Sequence, residues 1–173
     1  MIHWNSAAWA AIIGAGVATA GTLVLEVILK PAYARKRAAS VLLVEVQLNR
    51  RLLVAISEHR AKEPERVADT VSLTARGWKA VEQEIHYLPP DILEAVLLRY
   101  AQFDEINAIV SNYSRKVDLL LQLEGSPQMK ALVGELESDN EVFGEAVKST
   151  VEGCDRLIPR LRDVVEAGPP TRD

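Results

Sequence analysis

The chain has 173 residues, with 20 Lys+Arg against 24 Asp+Glu and a net charge of −4. That balance excludes nucleic acid as the main partner, because phosphate binding needs a basic face. One cysteine, Cys154, excludes an intramolecular disulfide framework and fits a reducing compartment, and the scarcity of aromatics (5%) beside abundant Leu, Val, Ala and Glu points to an all-α fold.

Residues 1–6 (MIHWNS) hold no Lys or Arg, and the run Ala7–Leu29 behind them carries one charge, Glu26. A bilayer core takes about 20 apolar residues in a helix. Residues 7–30 are therefore read as one transmembrane helix and residues 1–6 as an extracytoplasmic tail. Ala18-Thr19-Ala20 has small-residue spacing like a signal-peptide cleavage site. A basic n-region is missing, however, and the apolar run continues past that site, so the anchor is expected to stay uncleaved. Lys30, Arg35, Lys36 and Arg37 all lie on the C-terminal side. Basic flanks stay inside, which expects the plasma (inner) membrane, the N-terminus outside and the C-terminus in the cytoplasm. The same flank can touch anionic lipid heads, and Trp4 and Trp9 suit the outer headgroup layer.

At 100° per residue, Ala15, Ala18, Thr19, Thr22 and Glu26 share one face of the anchor, opposite Val17 and Val24. Small residues let helix backbones approach closely in lipid, so these five form the candidate self-association surface of a homo-oligomer. Glu26 lies near the cytoplasmic end, and Lys30 follows four residues later, the favourable order for an ion pair.

Residues 31–168 read as a cytoplasmic antiparallel bundle of about four helices. Helix A covers about 32–62, with Val41, Leu42, Val46, Leu48, Leu52, Leu53 and Ile56 recurring at three and four. Pro31 predicts a kink at its joint with the anchor, and Glu63-Pro64 ends it. A polar connection over 63–73 follows. Helix B is expected from Thr74, as N-cap, to Leu88, with Leu73 and Trp78 as a hydrophobic staple. Pro89-Pro90-Asp91 is a link short enough to make B and C an antiparallel hairpin. Helix C carries Leu93, Val96, Tyr100, Phe103, Asn107, Val110, Val117 and Leu120 or Leu121, a pattern suited to bundle packing. Gly125-Ser126-Pro127 reads as stop, cap and first-turn proline. Helix D covers about 128–166 with Leu132, Leu136, Asn140, Phe143, Val147, Cys154, Leu157 or Ile158, Leu161 and Val165 on its stripe. Pro159 predicts a kink or an end one turn earlier, and residues 169–173 a disordered tail.

No zinc-protease, phosphate-loop or nucleophile-elbow motif is present, so no catalytic residue, cofactor or metal site is expected. Glu82 and His86 share a face at i,i+4 but fall short of a di-iron ligand set. Glu135, Glu137, Asp139, Glu141 and Glu145 read as a solvated face, and Cys154 as a buried thiol. Asn107 and Asn140 interrupt apolar stripes and read as hydrogen-bonded register residues. The layout of short tail, anchor and helical body resembles the peripheral-stalk b subunit of ATP synthase in outline. That family carries one long helix, which the breaks at Pro64, Pro89-Pro90 and Gly125-Ser126-Pro127 contradict. The expected function is a non-enzymatic, single-pass interaction or scaffold protein that self-associates and presents its bundle to a protein partner. The alternative is a membrane effector whose anchors assemble into a pore when the bundle senses a partner or ligand.

Overall fold

A computed structural model describes residue 19 and residues 21–62, 72–123 and 128–167. The tail 1–6, most of the Ala7–Leu29 run including Ala15 and Ala18, the Pro64 break, the Gly125-Ser126-Pro127 stop and residues 169–173 lie outside that range. The described residues form helices and their links, with no strand among them. No described helix is long and apolar enough to cross a membrane; of the predicted span, only Thr19 and residues 21–30 are described.

From Gly21 the backbone is helical without interruption into α1 (Lys30–Lys62), passing through a π-turn at Leu25–Leu29. Pro31 explains the turn. It has no N–H, and its ring would collide with the carbonyl four residues back in a regular helix. The N–H of Lys30 instead bonds Leu25 O, five residues earlier, widening the helix just ahead of the proline. At the joint where a kink is expected, the helix carries this π-turn.

Three long helices make the frame: α1, α3 (Pro90–Gln122) and α4 (Gln128–Glu166), with α4 packed along both others. Cross-links fix their directions. Arg50 of α1 pairs with Asp155 of α4, and Arg60 lies over the Phe143 ring, so α1 and α4 are antiparallel. Arg160 pairs with Asp91, and Lys116 with Asp139 at 2.8 Å, so α3 and α4 are antiparallel too. Parallel α1 and α3 need a return segment between them. Residues 72–88 supply it, with α2 (Arg76–Val81) and a 3-10 turn at Ile85–Tyr87. Phe103, Ile106, Phe143, Leu157, Leu42 and Leu53 are among the bulkiest fully buried residues of the common core.

Helix B is therefore shorter and starts later than its pattern predicts. Ala75 occupies the N-cap position with no side-chain cap, because the Thr74 hydroxyl is engaged elsewhere. Leu88 is extended (ψ 150°) and so is Pro89 (ψ 139°), as residues before proline prefer. Helix D is not ended by Pro159; α4 continues to Glu166. The buried Cys154, Leu157 and Leu161 on either side hold it in place despite one lost hydrogen bond. On α1, Leu48 and Leu52 lie 48% and 40% exposed, while Glu45 and Asn49 occupy the core face instead. Of Leu120 and Leu121, the alternatives on the stripe of helix C, Leu121 is exposed and Leu120 half-buried.

Candidate functional site

The most concentrated chemistry is a polar clamp around the return segment. Asn49 of α1 donates from Nδ2 to Thr74 O (2.9 Å) and accepts from Thr74 N (3.0 Å) at Oδ1. Asn107 of α3 does the same for Leu73, donating to its carbonyl (3.1 Å) and accepting from its N–H (2.9 Å). Two asparagines on parallel helices thus satisfy the backbone of consecutive residues, which frees that stretch from having to be helical. Asn107 is thus hydrogen-bonded, but it is half-buried and its partner is the return segment, not a facing helix.

Beside them Glu45, only 6% exposed, takes four hydrogen bonds. Oε1 accepts from the Thr74 hydroxyl (2.7 Å) and Gly77 N (2.8 Å), and Oε2 from Trp78 N (3.0 Å) and the Tyr100 hydroxyl (2.5 Å). Burial pushes the Glu45 carboxyl up, but the four donors outweigh it and hold the group below its ordinary value. Tyr100 is driven far above the usual phenol range by its own burial and by the Glu45 carboxylate. A Cβ at Gly77 would lie 2.9 Å from Glu45 Oε2, so glycine lets α2 come this close. The Trp78 and Tyr100 rings lie 5.0 Å apart with their planes tilted by 41°, and Tyr100 meets Phe103 edge-on at 5.5 Å. With all its lone pairs engaged, Glu45 serves as a fixed anion that ties α1, α2 and α3 together, not as an acid or base.

A second feature lies at the end of the bundle where α1 and α3 begin and α4 finishes. A groove of about 700 Å³ opens there among Leu29, Tyr33, Ile92 and Val164. Arg35, Lys36 and Arg160 also line it, as do Asp91 and Asp163. Arg160 pairs with Asp91, whose carboxyl this contact holds below its ordinary value.

Of the predicted anchor surface, Thr19, Thr22 and Glu26 are helical and exposed, and Glu26 pairs with Lys30 at 3.0 Å. Ala15 and Ala18 lie outside the described residues. The basic flank is divided: Arg37 pairs with Glu84 across to the return segment, and Arg35 and Lys36 face the groove. Cys154 is buried, and burial pushes its thiol up to about 11 despite nearby Arg99. On the acidic face expected to be solvated, Glu135 is exposed and Asp139 half-buried, and they reach Lys116 at 3.1 and 2.8 Å. Glu82 falls in a turn and His86 in the 3-10 segment, so the two no longer share a regular helix face. Among the described residues no group of three or more His, Cys, Asp or Glu could hold a metal.

Sequence reasoning missed Glu45, Asn49, Arg99 and Gly153. Glu45 and Asn49 fall in step with Ala38, Leu42, Leu53 and Ile56, a spacing that signals polar residues inside an apolar stripe. Arg99, also 6% exposed, lies against Gly153, where a Cβ would come within 1.6 Å of Nη1. No known protein family, curated protein or solved structure matches the chain.

Proposed function

We propose that the chain is a single-pass, membrane-anchored scaffold that self-associates through its anchor and presents a cytoplasmic helical bundle to a protein partner. The observation that carries this reading is the unbroken helix from Gly21, inside the apolar run, into α1, a core helix of the bundle. A helical joint would couple the anchor to the bundle, so that paired anchors would set their bundles side by side. The small face of Ala15, Ala18, Thr19, Thr22 and Glu26 supplies the close approach that association in lipid requires. Val44, Leu48 and Leu52, spaced by four and 66, 48 and 40% exposed, form an apolar line along the outside of α1. A line of that kind suits an amphipathic helix of the partner.

Three comparisons test the proposal. Alkaline extraction should leave the full chain in the membrane pellet. Ala15→Leu or Ala18→Leu should weaken association in a membrane reporter, whereas Val17→Leu and Val24→Leu should not. Leu48→Glu should abolish partner capture from solubilised membranes without changing the melting curve. Extraction into the supernatant, equal effects of leucine on both anchor faces, or capture indifferent to Leu48→Glu would each refute the corresponding element.

A further inference from the structure

We propose that the groove between the start of α1, the start of α3 and the end of α4 seats the headgroup of an anionic phospholipid. The proposal rests on the membrane reading above, since it needs a bilayer surface at the level of Leu29 and Lys30. Three features select this occupant. The first is position: Leu29, the last residue of the apolar run, lines the groove, so a headgroup packed around the emerging helix meets it directly.

The second is charge. Near the joint Lys30 is matched by Glu26, Arg37 by Glu84 and Arg160 by Asp91. Arg35 and Lys36 have no ion pair among the described residues, and Arg35 is half-buried. A cation with no counter-charge beside it can take an anion, and the planar fork of a guanidinium fits phosphate oxygens in pairs. Three basic and two acidic residues line the groove, leaving one positive charge to meet a monoanionic phosphodiester. A zwitterionic headgroup brings its own cation and would neutralise nothing.

The third is amphipathic lining. Leu29, Ile92 and Val164 provide apolar walls for the glycerol and first acyl carbons, and Tyr33, 73% exposed, supplies the amphipathic ring that suits the bilayer interface.

The test uses the full chain in phosphatidylcholine vesicles and in nanodiscs of phosphatidylcholine with phosphatidylglycerol. Flotation with pure phosphatidylcholine vesicles examines the membrane reading by itself. The lipids that stay bound on release from nanodiscs, counted by native mass spectrometry, examine the groove. Phosphatidylglycerol should be enriched over its bulk share. Arg35→Gln and Lys36→Gln should each reduce the enrichment by about fivefold, the weight of one basic group at an anionic surface. Ala167→Trp, at an exposed position lining the groove, should abolish enrichment by filling the space without altering charge. Asp163→Asn should raise it, a gain that loss of folding cannot imitate. Arg51→Gln, an exposed site away from this groove, should change nothing. A chain that floats without phosphatidylglycerol enrichment overturns the lipid site and leaves the anchor standing. Enrichment that ignores both Ala167→Trp and Asp163→Asn assigns the lipid to the basic flank at large and overturns the groove. A chain that does not float overturns both readings.

Discussion

Replacing Glu45 by glutamine changes one oxygen to an NH2 group and leaves the shape intact, yet no orientation of the amide can satisfy the clamp. Each carboxylate oxygen accepts from one backbone N–H and one hydroxyl: Gly77 N and Thr74 at Oε1, Trp78 N and Tyr100 at Oε2. Either hydroxyl can rotate to accept, but whichever side receives the NH2 sets it against a backbone N–H that has no other role. A buried unsatisfied donor costs about 1–3 kcal/mol, and hydrogen bonds to a charged acceptor are worth about 1.5–3 kcal/mol against roughly 1 for neutral ones. Glu45→Gln should therefore destabilise the bundle by about 2–4 kcal/mol, read as a shift in the urea midpoint of the full chain in mild detergent. Tyr100→Phe removes one donor and leaves the carboxylate three, so its loss should be smaller. The signs with pH follow from the lowered Glu45 value. Unfolded, this carboxyl takes its proton near 4.5, whereas the folded one holds out to lower pH. Its contribution is complete above about 4.5 and drains away as pH falls through the folded value. The wild-type chain should lose stability over that window more steeply than Glu45→Gln. A glutamine variant within 0.5 kcal/mol of wild type at pH 7, the range of an ordinary surface substitution, would refute the clamp.

Asn49→Leu strands both backbone groups of Thr74 and should cost about 2–4 kcal/mol by the same per-group penalties, with hydrogen exchange accelerating first at residues 73–78. Gly153→Ala drives a methyl group into the Arg99 guanidinium and should cost about 1–3 kcal/mol; Arg99→Ala in the same chain should recover part of it, as a double-mutant cycle in melting temperature would reveal. Cys154, buried and with its thiol raised to about 11, should be alkylated at pH 8 only as fast as the bundle opens, so its labelling rate should rise with urea in step with unfolding. Fast labelling of the folded chain would contradict its placement.

The long helices were legible because their apolar residues repeat at three and four, and because the Pro89-Pro90 step is written locally. Phe103, Val110, Phe143, Val147 and Leu161 are all buried where the pattern puts them, and of the alternatives Leu157 and Ile158 it is Leu157 that is buried. The return segment was not legible. Thr74, Trp78 and Leu88 fit a helical stripe when read alone, but the backbone of Leu73 and Thr74 is claimed by Asn107 and Asn49 from far away in sequence. Local propensity cannot anticipate a contact of that range. Of the two outcomes expected at Pro159, the end one turn earlier does not occur, because the packing of Leu157 and Leu161, which a helix read alone does not reveal, outweighs one missing hydrogen bond. The groove could not be read at all, since α1, α3 and α4 each supply only part of its lining.

The proposed anchor and scaffold both require residues 7–30 to span a bilayer with the bundle on the cytoplasmic side. The most direct test is a pair of reporters fused in turn after Asp173, one active only in the cytoplasm and one only outside it. The cytoplasmic fusion should be active and the other silent, in membranes from which alkaline extraction removes neither. Activity of the outside reporter, or a mature chain that begins near Gly21, would contradict the anchor, the orientation and the scaffold built on them.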